Sequence, residues 1–242
     1  MLSVRHLTVF RGERAVLEDV SFEASREFVL VAGPNGAGKT TLFLAVLNLV
    51  PYRGEVCIDH VCTEERTRKI GYIPQRLKAN GRGTVWEYVY LPARFRGVKS
   101  PEQAAAEALR EVGLYELRDV PVGSLSGGQL QRAAIARALA VGGEVLLLDE
   151  PLANVDPQGR LELIALMREL KREKTILMTS HELTLPLDLA DKVLILNRRV
   201  VAYGAPDEVL REEVLSKVYR YVKVAKTSFG YVCVTEDYAH PH

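Results

Sequence analysis

The residue pattern predicts an α/β fold with a mainly parallel core sheet. Three observations carry the prediction. Phe28-Val29-Leu30-Val31-Ala32, Glu144 to Leu148 and Thr175 to Thr179 are short, largely apolar runs, the pattern of strands covered on both faces. Stretches of helical period separate them, as in folds that lay helices on both sides of a parallel sheet. Finally, Gly33-Pro34-Asn35-Gly36-Ala37-Gly38-Lys39-Thr40 is a full G-x-x-x-x-G-K-T sequence. It follows the first buried strand at once and opens a helix from Thr40 to Val50, the strand–loop–helix context that this motif requires.

The remaining elements follow in order. Residues 3–10 and 16–24 read as two β-rich segments around a turn at Gly12, with Val4, Leu7 and Val9, then Val16, Leu17, Val20 and Phe22, at the apolar positions. They form an N-terminal antiparallel β subdomain. Gly54 to Asp59 and Lys69 to Pro74 read as strands, with Gln75 just after. Residues 84–120 read as helical, with a break near Pro92 to Pro101. Pro101-Glu102 is a good helix start, with Pro in the first turn and an acid beside it. Gly127-Gly128 open the next helix, and Pro157 to Arg172 is amphipathic, with Leu161, Ile164, Leu166 and Leu170 inward. The stretch 84–140 interrupts the strand–helix alternation and is expected to be an inserted helical subdomain. Lys192 to Tyr203 reads as a hairpin around Asn197-Arg198-Arg199. Pro206 to Tyr219 reads as a helix. Tyr221 to Val224 and Tyr231 to Val234 read as a last short hairpin. Residues 1–220 are thus expected to form the main domain and 221–242 a C-terminal extension.

Composition narrows the function classes. The 242 residues carry a formal charge of +1, so no electrostatic footprint argues for nucleic acid. No apolar stretch approaches the roughly 18–20 residues that span a bilayer. The opening Met1 to His6 does not read as a signal peptide, so the chain is expected on the cytoplasmic side of a membrane at most. Three cysteines, Cys57, Cys62 and Cys233, form an odd, sparse set without C-x-x-C. That fits a reducing compartment better than a disulfide framework. Cys57 and Cys62 read as small semi-buried residues around a strand end rather than as metal ligands. The terminal run Glu236 to His242 holds potential ligands but reads as a solvated tail.

The residues of the loop have clear tasks. Gly33, Gly36 and Gly38 let the backbone wrap so that successive N–H groups face phosphate oxygens, and the helix adds its positive end. Lys39 supplies a point charge for the β- and γ-phosphates, the Thr40 hydroxyl is a Mg²⁺ ligand, and Thr41 reaches the α-phosphate. Val145-Leu146-Leu147-Leu148 ends in Asp149-Glu150, at the end of a buried strand where ligands of open α/β sheets lie. Asp149 is placed on Mg²⁺ and Glu150 as the general base for an attacking water.

Leu125-Ser126-Gly127-Gly128-Gln129 lies between the phosphate loop and this strand. The three motifs in this order resemble the ATP-binding subunit of ABC (ATP-binding cassette) transporters. The resemblance covers essentially residues 1–220. It implies a P-loop NTPase fold with ATP and Mg²⁺ as ligands. It also implies that Gln75, in Gly71-Tyr72-Ile73-Pro74-Gln75, reaches the metal and the attacking water, and that His181 hydrogen-bonds the γ-phosphate. Ser126, Gly127, Gly128 and Gln129 would close over the nucleotide of a second copy in an ATP-dependent head-to-tail homodimer. Asp156 would stand at that interface. The family commonly places an adenine-stacking aromatic directly before the glycine after the first strand; here that place is Arg11, preceded by Phe10. Phe10, Arg11 and Val16 are the candidate adenine contacts, since an arginine plane can also stack on a base. Arg26-Glu27 replaces a usual Gly-Glu turn.

Within the family, Val193 to Gly204 with its Asn-Arg-Arg hairpin resembles the ATPases of manganese and zinc importers. The resemblance implies an integral membrane permease as direct partner and a substrate-binding protein as an indirect one. It places the permease-docking surface near residues 76–100, where Trp86, Tyr88, Tyr90 and Phe95 could equally be helical core. Cobalamin, siderophores and amino acids are alternative cargoes. A soluble ABC ATPase acting on ribosomes or DNA is disfavoured by the single cassette and balanced charge. A nucleotide-gated scaffold without turnover is disfavoured by Glu150 and His181.

Overall fold

The computed structural model describes residues 1–77, 83–180, 187–227 and 230–236. In chain order the strands are β1 (Leu2–Arg11), β2 (Arg14–Ala24), β3 (Phe28–Ala32), β4 (Arg53–Ile58), β5 (Ile70–Ile73), β6 (Val145–Asp149), β7 (Thr175–Thr179), β8 (Lys192–Asn197), β9 (Arg199–Gly204), β10 (Tyr221–Thr227) and β11 (Gly230–Glu236). The α-helices are α1 (Lys39–Val46), α2 (Val85–Phe95), α3 (Pro101–Glu111), α4 (Gly127–Ala140), α5 (Pro157–Leu170), α6 (Pro206–Val209) and α7 (Glu212–Leu215). The chain divides into two compact units, residues 1–64 with 175–242, and residues 65–174.

In the first unit β3 pairs in parallel with β7 and with β8, and β9 closes antiparallel on β8. Every residue of β3 and β7 is buried, which is why both read as unbroken apolar runs rather than alternating ones. A second sheet, in the order β2-β1-β4, is antiparallel. Val4 and Leu7 are three residues apart yet both buried. A register shift lies between them, with His6 at φ 50° and Asp19 at φ 51°. The bulge restores the inward face that strict alternation would have lost.

Arg26 stands at φ 46°, in the left-handed region that costs an L-residue about 1–2 kcal/mol. This is the physical sense of the glycine usual there; here the N–H of Arg26 is held by Thr175 Oγ1 at 2.9 Å.

In the second unit β5 and β6 pair in parallel. α4 packs on α2, α3 and α5, and its buried face is mainly alanine, at 133, 134, 136, 138 and 140, which lets neighbours approach closely. A capping box fixes the start of α2: Thr84 Oγ1 accepts from the N–H of Glu87 at 3.2 Å, and the Glu87 carboxylate accepts from the N–H of Thr84 at 2.8 Å.

Several sequence expectations are corrected. The helix break does not begin at Pro92: α2 runs through it to Phe95. Proline forfeits one helical bond, and burial of Val85, Val89 and Ala93 on one side outweighs that loss. Pro206 to Tyr219 is not one helix but the two short helices α6 and α7. Cys57 and Cys62 are not separate small residues: they are joined in a disulfide. The hairpin expected in the tail is present as β10 and β11. Among the described residues no helix is long and apolar enough to cross a membrane.

Candidate nucleotide site

The phosphate loop leaves β3 and enters α1. Two of its glycines are required by space as well as by backbone angle. A Cβ on Gly33 would stand 2.0 Å from the Leu196 carbonyl oxygen, and one on Gly38, at φ 98°, would stand 2.5 Å from Leu17 Cδ2. The loop is therefore moulded against β2 and β8. Its C-terminal part is tied to the β8–β9 turn, where the N–H of Arg198 donates to the Ala37 carbonyl at 2.9 Å. The carbonyl of Arg198 in turn accepts from the N–H of Glu18 at 2.8 Å.

Lys39 is buried to 7% exposure, and its ammonium donates to the carbonyls of Gly33 at 2.6 Å and Pro34 at 3.1 Å. The lysine is folded back onto its own loop, with its charge held against the carbonyls of Gly33 and Pro34. Gly38 caps α1, Thr40 is exposed and Thr41 half-buried. Backbone donors, one ammonium and a helix start together suit a polyphosphate.

Beside the loop opens a cleft of about 550 Å³. Pro34, Asn35 and Gly36 form one side, Arg11 and Val16 another. Phe10 is not among the lining residues; Arg53 lies over its ring at 5.4 Å. Arg14, Ala15, Asn197, Arg198 and Val218 complete the lining, and sequence reasoning missed all five. Arg14 was within reach of it, because the turn at Gly12 pairs Arg14 directly with Arg11. Asn197, Arg198 and Val218 arrive from far along the chain and leave no local signal. The volume suits a planar base and its sugar, and three guanidinium groups give the cleft a positive wall.

In the second unit β6 delivers Asp149 at 2% exposure and then Glu150, whose φ is 51°. The left-handed turn at Glu150 is the kind of strained backbone that clusters at functional sites. Gln75, exposed just after β5, donates from Nε2 to Glu150 Oε2 at 2.6 Å. The two candidate water-handling residues are thus brought together, across the parallel pairing of Ile73 with Leu148. Tyr72 on β5 lies half-buried; burial, and then the Asp149 charge, push its phenol up to about 12.

Ser126 caps α4 in a second capping box. Its Oγ accepts from the N–H of Gln129 at 3.3 Å, and Gln129 Oε1 accepts from the N–H of Ser126 at 3.0 Å. Ser126 and Gly127 are exposed while Gly128 is buried, facing Gly159 of α5. Asp156 caps α5, accepting from the N–H of Gly159 at 3.0 Å. His181 lies outside the described residues.

Residues 17–153 match the ABC transporter family. The chain is 35% identical to the manganese transport system ATP-binding protein MntB of Halalkalibacterium halodurans, over 91% of this chain and 92% of that one. It is 39% identical to the zinc import ATP-binding protein ZnuC of Cereibacter sphaeroides, over 85% and 83%. It is 34% identical to the ferric enterobactin transport ATP-binding protein FepC of Escherichia coli, over 88% and 84%. Among solved structures it is similar to cbiO1 of Clostridium perfringens, part of the ABC transporter complex cbiONQ, with a TM-score of 0.78 and 27% identity over 89% of this chain and 92% of that one.

Proposed function

The chain belongs to the ABC transporter family, and from that membership we propose that it is the ATP-hydrolysing subunit of an importer for a divalent transition metal, zinc or manganese. The observation that carries the metal reading is the likeness, over most of both chains, to proteins named for manganese transport and for zinc import. The likeness to FepC favours a second reading, a ferric siderophore as cargo.

ATP binds with its phosphates on the loop from Gly33 to Thr41 and its base in the cleft of Arg11 and Val16. Lys39 leaves the carbonyls of Gly33 and Pro34 for the phosphate oxygens, exchanging neutral acceptors for charged ones. Thr40, Asp149 and Gln75 would hold Mg²⁺, since each offers an oxygen donor, the kind that ion prefers. When bound, the ion neutralises phosphate charge. Glu150 accepts the proton of the attacking water, and Gln75, bonded to the same carboxylate, keeps it oriented. Ser126, Gly127, Gly128 and Gln129 of one copy cover the nucleotide held by another, with Asp156 at their interface. The exposed start of α4 supports that role. His181 is assigned to the γ-phosphate.

The protein sits against the cytoplasmic face of a membrane through its permease, and a substrate-binding protein feeds the permease from the other side. Leu91 and Phe95, exposed at 38% and 83% on α2, support a docking surface there. Trp86 and Tyr90 stack on each other at 5.7 Å and are half-buried.

Elemental analysis of cells on limiting metals tests the cargo. A strain carrying only Glu150→Gln should lose zinc or manganese selectively. An unchanged content of both, with active wild-type ATPase, would overturn the metal reading.

A further inference from the structure

Strand β4 ends in a two-residue turn. Asp59 and His60 both have positive φ, 47° and 69°, as tight hairpin turns of this length demand. Across it the N–H of Ile58 donates to the Val61 carbonyl at 3.0 Å and the N–H of Val61 to the Ile58 carbonyl at 2.9 Å. The next pair outward is Cys57 and Cys62, at a non-hydrogen-bonded position, where facing residues approach most closely. Their Cα atoms are 4.1 Å apart. Glu55 precedes Cys57 by two residues and therefore shares its face of the strand. A carboxylate oxygen of Glu55 and both Sγ atoms lie within 4.8 Å of one another. Among the described residues this is the one group of three metal-ligating side chains so disposed.

We infer that in the reduced chain Cys57, Cys62 and Glu55 bind a thiophilic divalent cation of the zinc type, and that the disulfide is the oxidised, metal-free form of the same site. Thiolate sulfur and carboxylate oxygen are both ligands that zinc accepts. A water completes the tetrahedron, because Cys62 and Glu55 are exposed. With metal–sulfur bonds of about 2.3 Å, donors stand about 3.8 Å apart, a spacing that rotation of the three side chains reaches. The backbone need not move: Ser3 pairs with Cys57 and Arg5 with Glu55 on β1, and the turn holds Cys62 opposite. Arg5, whose guanidinium is 4.0 Å from Glu55, competes only weakly, since exposed ion pairs contribute little.

The switch between forms is thiol–disulfide exchange. A low-molecular-weight disulfide accepts two electrons from the two thiolates, the Cys57–Cys62 bond forms, the cation leaves, and the two released thiolates take protons from water. A low-molecular-weight thiol reverses each of these changes. The inference does not depend on the transport reading, since none of its residues lines the nucleotide cleft.

The test uses the full chain, reduced with a phosphine, freed of reductant without oxygen, and titrated with Co²⁺ alone. Expected are a sulfur-to-cobalt charge-transfer absorption and the visible bands of a tetrahedral centre, both erased by Zn²⁺. The oxidised chain and Cys62→Ser should show neither; Cys62 is exposed, so this variant keeps the fold, as circular dichroism would verify. Glu55→Gln should weaken Co²⁺ binding at least about tenfold, the scale on which metal sites respond to loss of a supporting group. Cys233→Ser should leave the signal intact, because burial pushes the Cys233 thiol up to about 11. A reduced wild-type chain without sulfur charge transfer, or a signal that survives Cys62→Ser, would overturn the inference.

Discussion

The proposed function gives Lys39 to nucleotide binding and Glu150 to the chemistry. Removing the ammonium in Lys39→Ala should abolish high-affinity ATP binding, measured with a fluorescent nucleotide, because no other ammonium is folded into the loop among the described residues. Glu150→Gln should leave that binding in place and lower hydrolysis by about 10²–10⁴-fold, the range of a positioned acid or base. An unchanged turnover in Glu150→Gln would dismiss it as the base. Gln75→Ala, which takes away the 2.6 Å bond to Glu150, should reduce turnover less than Glu150→Gln does. Tyr72 gives a pH signature. Its folded-state phenol titrates at about 12 against 10.0 for a free one. The neutral form is the one the fold favours, so its contribution is complete below pH 10 and is lost as pH rises through about 12. Tyr72→Phe should flatten that alkaline loss of stability in urea titrations between pH 10 and 12.

Among the elements, the helix starts carry double duty. Ser126 and Asp156 are read from sequence as nucleotide and interface residues, yet in the folded chain each also caps a helix. Ser126→Ala and Asp156→Ala should each destabilise the nucleotide-free protein by about 1 kcal/mol, seen as a lower urea midpoint with unchanged slope. A midpoint that does not move would deny the caps any energetic role. The β8–β9 turn is another such element. Read as a hairpin, it also holds the phosphate loop through the Arg198–Ala37 bond, and β8 crowds that loop at Gly33. Its shape is therefore a condition of the loop's shape.

At the scale of the whole molecule, the proposed homodimer follows from one chain carrying two helix starts, at α1 and α4, that the proposed reading assigns to phosphate binding. With ATP and Mg²⁺, Glu150→Gln should run as a dimer in light scattering, because binding proceeds and hydrolysis is slowed. The wild type under the same conditions should return to monomer as ATP is consumed. A monomer in both would remove the reciprocal role of Ser126 and Gly127.

The sequence by itself determined the strands buried on both faces, the phosphate loop and the carboxylates at the end of β6. These are local: period, apolar run length and glycine placement are written along a few adjacent residues. It also determined the tail hairpin and the helix starts, since caps and turns are local chemistry too. What only the tertiary structure decided rests mostly on residues far apart in the chain. The bulge that keeps Val4 and Leu7 on one face depends on how β1 meets β2. The cleft wall of Asn197, Arg198 and Val218 depends on segments more than a hundred residues from the loop they join. The survival of α2 past Pro92 depends on the burial of its inner face. The meeting of Cys57 with Cys62 depends on two positive φ angles at Asp59 and His60. Neither residue is a glycine, and no composition rule announces a turn there. In all but this last case the deciding energy comes from contacts that chain order does not display.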